Sequence, residues 1–149
     1  MNKKLLLAIG LIPLVIILAI VLNNKNDPSS AADRNQQLSN EQSIEESFQE
    51  AEVFINSRAP IKIDDQTRLD KAMAGPGDLM TYFYSLTNVA IADVDPAAVL
   101  EDIKPKVLKS LCSNSDMQPV LQAGAKLVYV YSDMAGKEVG RINVVAADC

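Results

Sequence analysis

A run of apolar residues near the N-terminus is the feature that most constrains this chain. Residues 5–22, LLLAIGLIPLVIILAIVL, contain no charged side chain. At 1.5 Å per residue, a helix of this length spans about 27 Å, close to the hydrocarbon core of a bilayer. Pro13 removes one backbone hydrogen bond, which membrane helices tolerate with a kink. The run therefore predicts one transmembrane helix.

The charges on either side of this run predict its orientation. Lys3 and Lys4 precede it, whereas Lys25 on the other side is followed by Asp27. Because positively charged flanks stay in the cytoplasm, residues 1–4 are predicted to be the cytoplasmic end and everything after the helix to be exported. We therefore expect a single-pass protein of the inner membrane whose C-terminal domain lies in the periplasm.

A cleaved signal peptide is the competing interpretation of the same segment. Ser30, Ala31 and Ala32 are small enough for a cleavage site. A signal peptide, however, has a shorter apolar core of about 7 to 15 residues, and this site lies well beyond Leu22. No cysteine closely follows the run, which argues against a lipoprotein. We therefore expect an uncleaved signal-anchor that contacts the membrane through residues 5–22.

The polar stretch after the apolar run predicts a tether. Residues 23–40, NNKNDPSSAADRNQQLSN, show no apolar periodicity and cannot bury enough surface to order themselves, so they are predicted to be a flexible linker. Residues 41–149 remain, which is a usual size for one domain. The net charge of −5 argues against nucleic acid as a partner, since nucleic acid binding rewards clustered Lys and Arg.

The first element of the domain is predicted to be an amphipathic helix. Asn40 is placed to cap it. Its apolar residues follow at spacings of three and four, the period of one helix face: Ile44, Phe48, Ala51 and Ile55. The opposite face is acidic and is expected to be solvated: Glu41, Glu45, Glu46, Glu50 and Glu52. The helix is expected to end near residue 57, before Pro60.

Strand-type patterns follow this helix. Residues 61–64 and 67–74 alternate apolar with polar side chains and predict two short strands. The Gly-Pro-Gly sequence at residues 75–77 is a strong turn signal. Residues 79–88, LMTYFYSLTN, are rich in residues that favour strands and have aromatic side chains at their middle. We expect this last segment to be the central strand of a sheet.

A second helical block is predicted next. Asp95 is an N-cap residue with Pro96 at the first helical position. The apolar residues that continue at helical spacing are Leu100, Ile103, Val107 and Leu111. Pro105 is expected to kink this helix or divide it in two. A short helix at residues 117–122, closed by Gly124, completes the block.

Two further strands are predicted in the last part of the chain. Residues 126–132 and 138–147 flank a turn at residues 133–136, which predicts a hairpin. The order of elements is then a helix, three strands, helices and two strands. This order predicts an α+β fold in which a mainly antiparallel sheet of about five strands packs its apolar face against the helices.

The two cysteines are the clearest chemical signal in the sequence. An even count in a domain exported to an oxidising compartment favours a disulfide, here between Cys112 at the end of a helix and Cys149. Such a bond would stabilise the domain by roughly 3 to 4 kcal/mol in the chain-entropy model. Catalytic or redox thiols are the alternative, but the chain has no CxxC pair and no histidine to activate a thiolate.

The absence of histidine removes the commonest general base and zinc ligand. Carboxylates remain as candidates for calcium binding or glycoside hydrolysis, namely Asp64 with Asp65 and Asp70 with Asp78, but their spacing matches neither motif. The Gly-Pro-Gly sequence lacks the pattern of a phosphate-binding loop and is expected to be a hairpin turn. We therefore predict no catalytic residue, metal or cofactor.

Aromatic residues are concentrated on the predicted strands: Tyr82, Phe83, Tyr84, Tyr129 and Tyr131. Alternate members should point to opposite sides of the sheet. We expect core packing and cross-strand contacts from them. An exposed aromatic groove for a peptide or a lipid is the alternative.

A set of short motifs resembles a family of small bacterial envelope proteins of unknown function. The likeness covers roughly residues 55–149. The motifs are Pro60-x-x-x-Asp64-x-x-Thr67-Arg68-Leu69-Asp70, Ala74-Gly75-Pro76-Gly77, Thr81-Tyr82-x-Tyr84-x-Leu86-x-Asn88, Cys112, Tyr131-x-Asp133-x-x-Gly136 and Asp148-Cys149.

More distantly, the half of the chain with a helix, a hairpin and a terminal cysteine is similar to one class of type II secretion pilotins. That resemblance implies a small periplasmic α/β protein that binds an outer-membrane secretin and has an internal disulfide. Pilotins carry a lipidated cysteine where this chain has its apolar run.

The leading functional hypothesis is a non-catalytic binding or assembly module, anchored in the inner membrane, whose partner is another envelope protein. An exposed edge strand is the expected contact, since β-augmentation needs only free backbone groups. The alternatives are a carboxylate-based enzyme that acts on cell-wall glycan through Asp64, Asp65, Asp70 and Asp78, and a periplasmic inhibitor or immunity protein. The sequence leaves the oligomeric state open.

Overall fold

The computed structural model of the chain describes residues 36–149. Its helices are α1 (Gln36–Asn56), α2 (Pro96–Cys112) and α3 (Met117–Gln122), and its strands are β1 (Ile61–Lys62), β2 (Thr67–Gly75), β3 (Leu79–Leu86), β4 (Lys126–Ser132) and β5 (Glu138–Val144). The predicted transmembrane helix at residues 5–22 lies outside the described residues. Within residues 36–149, no helix is both long enough and apolar enough to span a bilayer.

The five strands form one sheet in the order β1-β2-β3-β4-β5. Three of the four pairings are antiparallel, and the β3–β4 pairing is parallel. Helix α1 packs on β2 and β3, and α2 packs on β5. The buried side chains of both helices share one core cluster with one face of the sheet. The predicted α+β fold, with a mainly antiparallel sheet and β3 at its centre, is confirmed.

Helix α1 buries the predicted stripe. Ile44, Phe48, Ala51 and Ile55 are all buried in the core. The described helix already includes Gln36, however, so Asn40 lies inside it and is not its N-cap, and residues 36–40 are helical where a flexible linker was predicted. Glutamine and leucine are good helix formers, so a helix held by its packed C-terminal half extends into this polar stretch at little cost.

A β-bulge in β2 explains why buried and exposed side chains do not alternate strictly along this strand. Leu69 pairs with Tyr84 and Lys71 with Phe83, which leaves Asp70 as the extra residue. Because the bulge shifts the register by one, Leu69 and Ala72 both reach the core although three positions separate them, and Lys71 stays outside. The imperfect alternation of apolar and polar residues at 67–74 is therefore the pattern of a strand with a bulge.

Helix α2 starts as predicted. The Asp95 carboxylate accepts a hydrogen bond from the Ala97 backbone N–H at 3.0 Å, and Pro96 occupies the first turn. Of the two effects predicted for Pro105, a kink or a division of the helix, the division does not occur, because α2 runs unbroken from Pro96 to Cys112. Pro105 is exposed, so it forfeits one hydrogen bond on the solvent side. The opposite face stays packed through Val99, Ile103, Val107 and Leu111.

The last two strands form the predicted hairpin. Strand β4 has the predicted bounds, and β5 ends at Val144, three residues before the predicted end. The chain then enters a short 3-10 turn at Ala146–Asp148, whose Asp148 carboxylate accepts a hydrogen bond from the Val145 N–H at 2.9 Å. That side-chain bond satisfies the Val145 backbone group and ends the strand.

Candidate functional site

All four tyrosines of the chain stack in one ladder across the parallel pair at the centre of the sheet. Tyr82 pairs with Tyr129 and Tyr84 with Tyr131. Ring centroids lie 5.3 Å apart for Tyr82 and Tyr129, 6.2 Å for Tyr84 and Tyr129, and 5.3 Å for Tyr84 and Tyr131. All four side chains are buried. Core packing, the expected role, is what the structure shows for this tyrosine ladder, and these residues form no exposed aromatic groove.

Two hydroxyl groups of the ladder are buried without a hydrogen-bond partner in the described part of the chain. They are the hydroxyls of Tyr84 and Tyr131. Burial raises the pKa of all four tyrosines above its usual value, because a phenolate would lose its hydration in the core. The ladder therefore stays neutral in the folded protein at any physiological pH.

The raised tyrosine pKa values predict alkaline unfolding. The unfolded chain loses its phenolic protons near pH 10, whereas the folded chain retains them. Above that pH the unfolded state therefore binds fewer protons than the folded state, so stability is intact below about pH 10 and falls as pH rises, by up to roughly 1.4 kcal/mol per pH unit for each tyrosine. Tyrosinate absorbance should rise together with loss of circular dichroism. A smooth tyrosinate titration in a still-folded protein would contradict the buried ladder.

The other face of the sheet carries none of the helices within residues 36–149. We call it the open face, and it presents Lys71, Met73, Thr81, Phe83, Val128, Val130, Arg141 and Asn143. Its centre is apolar: Phe83 lies beside Val130, which is only 3% exposed, and the Lys71 ammonium nitrogen lies 4.5 Å from the centroid of the Phe83 ring. Met73 is 47% exposed. Phe83 thus points away from the tyrosine ladder, as the strand alternation predicted.

The structure does not bring the four candidate carboxylates together. Asp64 and Asp65 precede β2 and Asp78 follows it, so they lie at opposite ends of a nine-residue strand that is roughly 30 Å long. Asp65 pairs with Lys62 at 2.7 Å. Asp70, at the bulge, pairs with Arg68 at 2.5 Å and accepts a hydrogen bond from the Ser85 hydroxyl. Each of Asp65 and Asp70 therefore has a local structural partner.

The Gly-Pro-Gly sequence forms the predicted hairpin turn. It connects β2 to β3, whose ends pair at Gly75 and Leu79. Gly77 has a φ of 72° and Asp78 a φ of 56°, a left-handed conformation that glycine and aspartate tolerate best. Among residues 36–149, no three Cys, Asp or Glu side chains are grouped closely enough to hold a metal ion.

Cys112 and Cys149 lie side by side. Their sulfur atoms are 2.04 Å apart, a disulfide distance, and their Cα atoms are 5.3 Å apart, inside the range that a disulfide requires. Cys112 is the last residue of α2, and Cys149 follows the 3-10 turn after β5. The pair therefore joins the end of the α2 helix to the segment that follows the edge strand.

Asp133, which the sequence showed only as part of a turn, organises two loops. Its buried carboxylate accepts hydrogen bonds from the backbone N–H groups of Ile91 at 3.1 Å, Ala135 at 2.9 Å and Lys137 at 2.8 Å. These bonds, that from Ile91 foremost, lower the pKa of Asp133. The β4–β5 turn is thereby tied to the loop that follows β3.

The free edge of β2 is closed by side chains of α1. The Asn56 side-chain amide donates to the Ala72 carbonyl at 2.9 Å and accepts from the Ala72 N–H at 2.9 Å. The Glu52 carboxylate accepts from the Ala74 N–H at 2.8 Å. Glu52 was predicted to be a solvated residue of an acidic face. Sequence patterns give no signal for this contact, because it depends on how α1 approaches the sheet.

This architecture defines a class of small α+β proteins known from solved structures. A predicted secreted protein of Pseudomonas aeruginosa matches at a TM-score of 0.60 and 14% identity, over 80% of this chain and 99% of its own. The type II secretion pilotin AspS of Vibrio cholerae matches at 0.58 and 14%, over 75% and 97%. The pilotin EpsS of Vibrio vulnificus matches at 0.59 and 12%, over 74% and 96%. At these identities the likeness shows a shared fold.

Residues 42–140 match a family described as a domain of unknown function, DUF8479. The chain therefore belongs to the DUF8479 family. No curated protein matches the sequence.

Proposed function

We propose that this chain is a non-catalytic binding or assembly module of the cell envelope, and that its partner is another envelope protein. The observation that carries the proposal is the shared fold with two type II secretion pilotins, which extends over 97% and 96% of those chains. A pilotin works by binding, so the same scaffold supports a binding role here.

The open face adds physical support to a binding role. On this sheet face Phe83 and Val128 are partly exposed beside the buried Val130, and charged side chains flank them, so the face has an apolar centre and a polar rim, which is the usual anatomy of a protein interface. The partner surface would cover the apolar centre, and Lys71 and Arg141 would lie at the rim.

Crosslinking and recovery of the full-length chain from envelopes tests this proposal. We expect one envelope protein to be recovered reproducibly with the wild-type chain. Thr81→Arg places a charge on the open face and should reduce that recovery by roughly tenfold, since a buried unpaired charge disfavours association. Glu46→Arg, on the exposed side of α1, is the matched control and should leave it unchanged. No reproducible partner, or equal recovery with both variants, would contradict the proposal.

We further propose that residues 5–22 anchor the chain in the inner membrane, with the domain in the periplasm. Support comes from the apolar run and its flanking charges. An alkaline phosphatase fusion after Ala147 should be active and one before Leu5 inactive, and the mature chain should keep its own N-terminus. Reversed activities would refute the orientation, and a mature chain that begins near Ala32 would refute the anchor.

A further inference from the structure

The two edges of the sheet differ in what completes their backbone hydrogen bonds. At the first edge, β1 pairs with β2 only at Leu69 and Arg68. Beyond that point, Asn56 bonds both backbone groups of Ala72, and Glu52 bonds the Ala74 N–H. Asn56 thus supplies an amide donor and an acceptor as a neighbouring strand would. This edge cannot accept another strand without displacing α1.

Strand β5 forms the other edge, and within the described part of the chain no further strand pairs with its outer backbone groups. Alternate N–H and C=O groups of an edge strand point away from its neighbour. Within residues 36–149, no backbone hydrogen bond involves residues 138–144 apart from the ladder to β4. Among the described residues, side chains of α1 therefore seal one edge of the sheet, and no strand covers the other.

Few of the common protections of an edge strand are present in most of β5. Natural edges are blunted by charged side chains, lysine above all, and by proline, bulges or very short strands, and residues 140–144 carry one charge, that of Arg141. The bulge in β5 falls at Val139, which lies between the paired residues Glu138 and Gly140. Residues 140–144, GRINV, contain no lysine or proline and pair regularly with β4. Beyond them, the Asp148 turn and the Cys112–Cys149 pair hold the strand end in place.

The two faces of β5 specify the chemistry of an added strand. On the helix side, Ile142 is buried in the core, and Leu100 of α2 lies so close to Gly140 that an added Cβ there would come within 2.4 Å of it. On the open face, Arg141 pairs with Glu138 at 2.8 Å. Since both side chains of this pair are well exposed, the pair contributes little stability and Arg141 can accept another carboxylate.

We propose that residues 140–144 of β5 accept an extended segment of another envelope protein as a sixth strand of the sheet. This inference rests on the proposed binding function and adds the β5 edge, which borders the open face at Arg141 and Asn143, as the main contact. The segment would place apolar side chains on the helix side, beside Ile142 and Leu100, and an acidic side chain opposite Arg141. A second copy of this chain fits less well, because antiparallel pairing centred on Arg141 would bring two arginines together.

A photo-crosslinking residue, p-benzoylphenylalanine, placed in the full-length chain in native envelopes tests the proposal. It replaces Asn143 on β5, with Met73 on β2 as the matched exposed position of the same face at the sealed edge. We expect at least about tenfold more adduct from position 143 than from position 73, since only the β5 edge allows strand addition. Moving the probe from 143 to 141 removes Arg141 and should lower the yield, but the adduct that forms should lie two positions away on the partner, as paired strands require.

A charge variant adds a second measurement. Arg141→Glu should lower the adduct yield from position 143 by roughly tenfold, and Arg141→Lys should largely retain it, because the proposed contact at this position is electrostatic. Adducts from 73 but not from 143 would overturn the β5 assignment while the proposed binding function stands. An adduct of the chain with itself would overturn the choice of partner. No adduct from either position would overturn the β5 assignment, and the recovery experiment above would then decide the binding function separately.

Discussion

Tyr131→Ala should lower the free energy of unfolding by about 3 to 5 kcal/mol, the cost of truncating a large side chain in a packed core. Tyr131 is completely buried, and its ring stacks on that of Tyr84 with centroids 5.3 Å apart. The substitution would leave a cavity between the central strands and the helices that cover them. Urea denaturation followed by circular dichroism measures the loss.

Tyr131→Phe is the matched control for that experiment. It keeps the ring and removes only the hydroxyl, which has no hydrogen-bond partner among residues 36–149. Removing a buried polar group that has no partner loses no hydrogen bond, so we expect the free energy of unfolding to stay within about 1 kcal/mol of the wild-type value. A loss of 2 kcal/mol or more in Tyr131→Phe would show that the hydroxyl is hydrogen-bonded in solution, contrary to the structure.

Cys112→Ser should destabilise the oxidised domain by about 2 to 5 kcal/mol. The two cysteines are separated by 37 residues, and releasing that loop restores conformational entropy to the unfolded chain. Because both cysteines belong to one bond, Cys149→Ser and the double variant should each lose the same amount. Thermal unfolding with and without a reductant measures the effect.

The matching control for the cysteine variants is the reduced wild-type chain, in which Cys112→Ser should change stability little. Thiol titration of the denatured, unreduced protein provides the direct check. Two free thiols would contradict the bond, and unequal losses in Cys112→Ser and Cys149→Ser would show that one side chain stabilises the fold by other contacts.

Local patterns were enough to predict most of the fold. The bounds of β4, the cap at Asp95 and the buried stripe from Ile44 to Ile55 each follow from residues close together in sequence. The beginning of α1 was predicted wrongly, because polar residues that favour a linker also tolerate a helix once the adjoining turns are packed. Pro105 does not divide α2, because the buried residues on the opposite face of the helix hold it together.

Contacts between segments far apart in the chain could not be predicted from the sequence. Asn56 is 16 residues from Ala72, and Glu52 is 22 from Ala74, so the sealed edge appears only when α1 docks on the sheet. The bulge at Asp70 was also hidden, because a spacing of three between Leu69 and Ala72 suits several backbone geometries. The sequence could therefore predict that an edge strand contacts the partner, but not that this strand is β5.

The single parallel pairing has a consequence for the order of folding. Leu79 on β3 pairs with Lys126 on β4, whereas the hairpins β2–β3 and β4–β5 close over short turns. Since long loops slow the pairing of strands, each hairpin should assemble with its own helix first, and the two halves should join last along the tyrosine ladder. Fragments 36–92 and 93–149 would then recombine when mixed, which tyrosine fluorescence would register as the rings leave water.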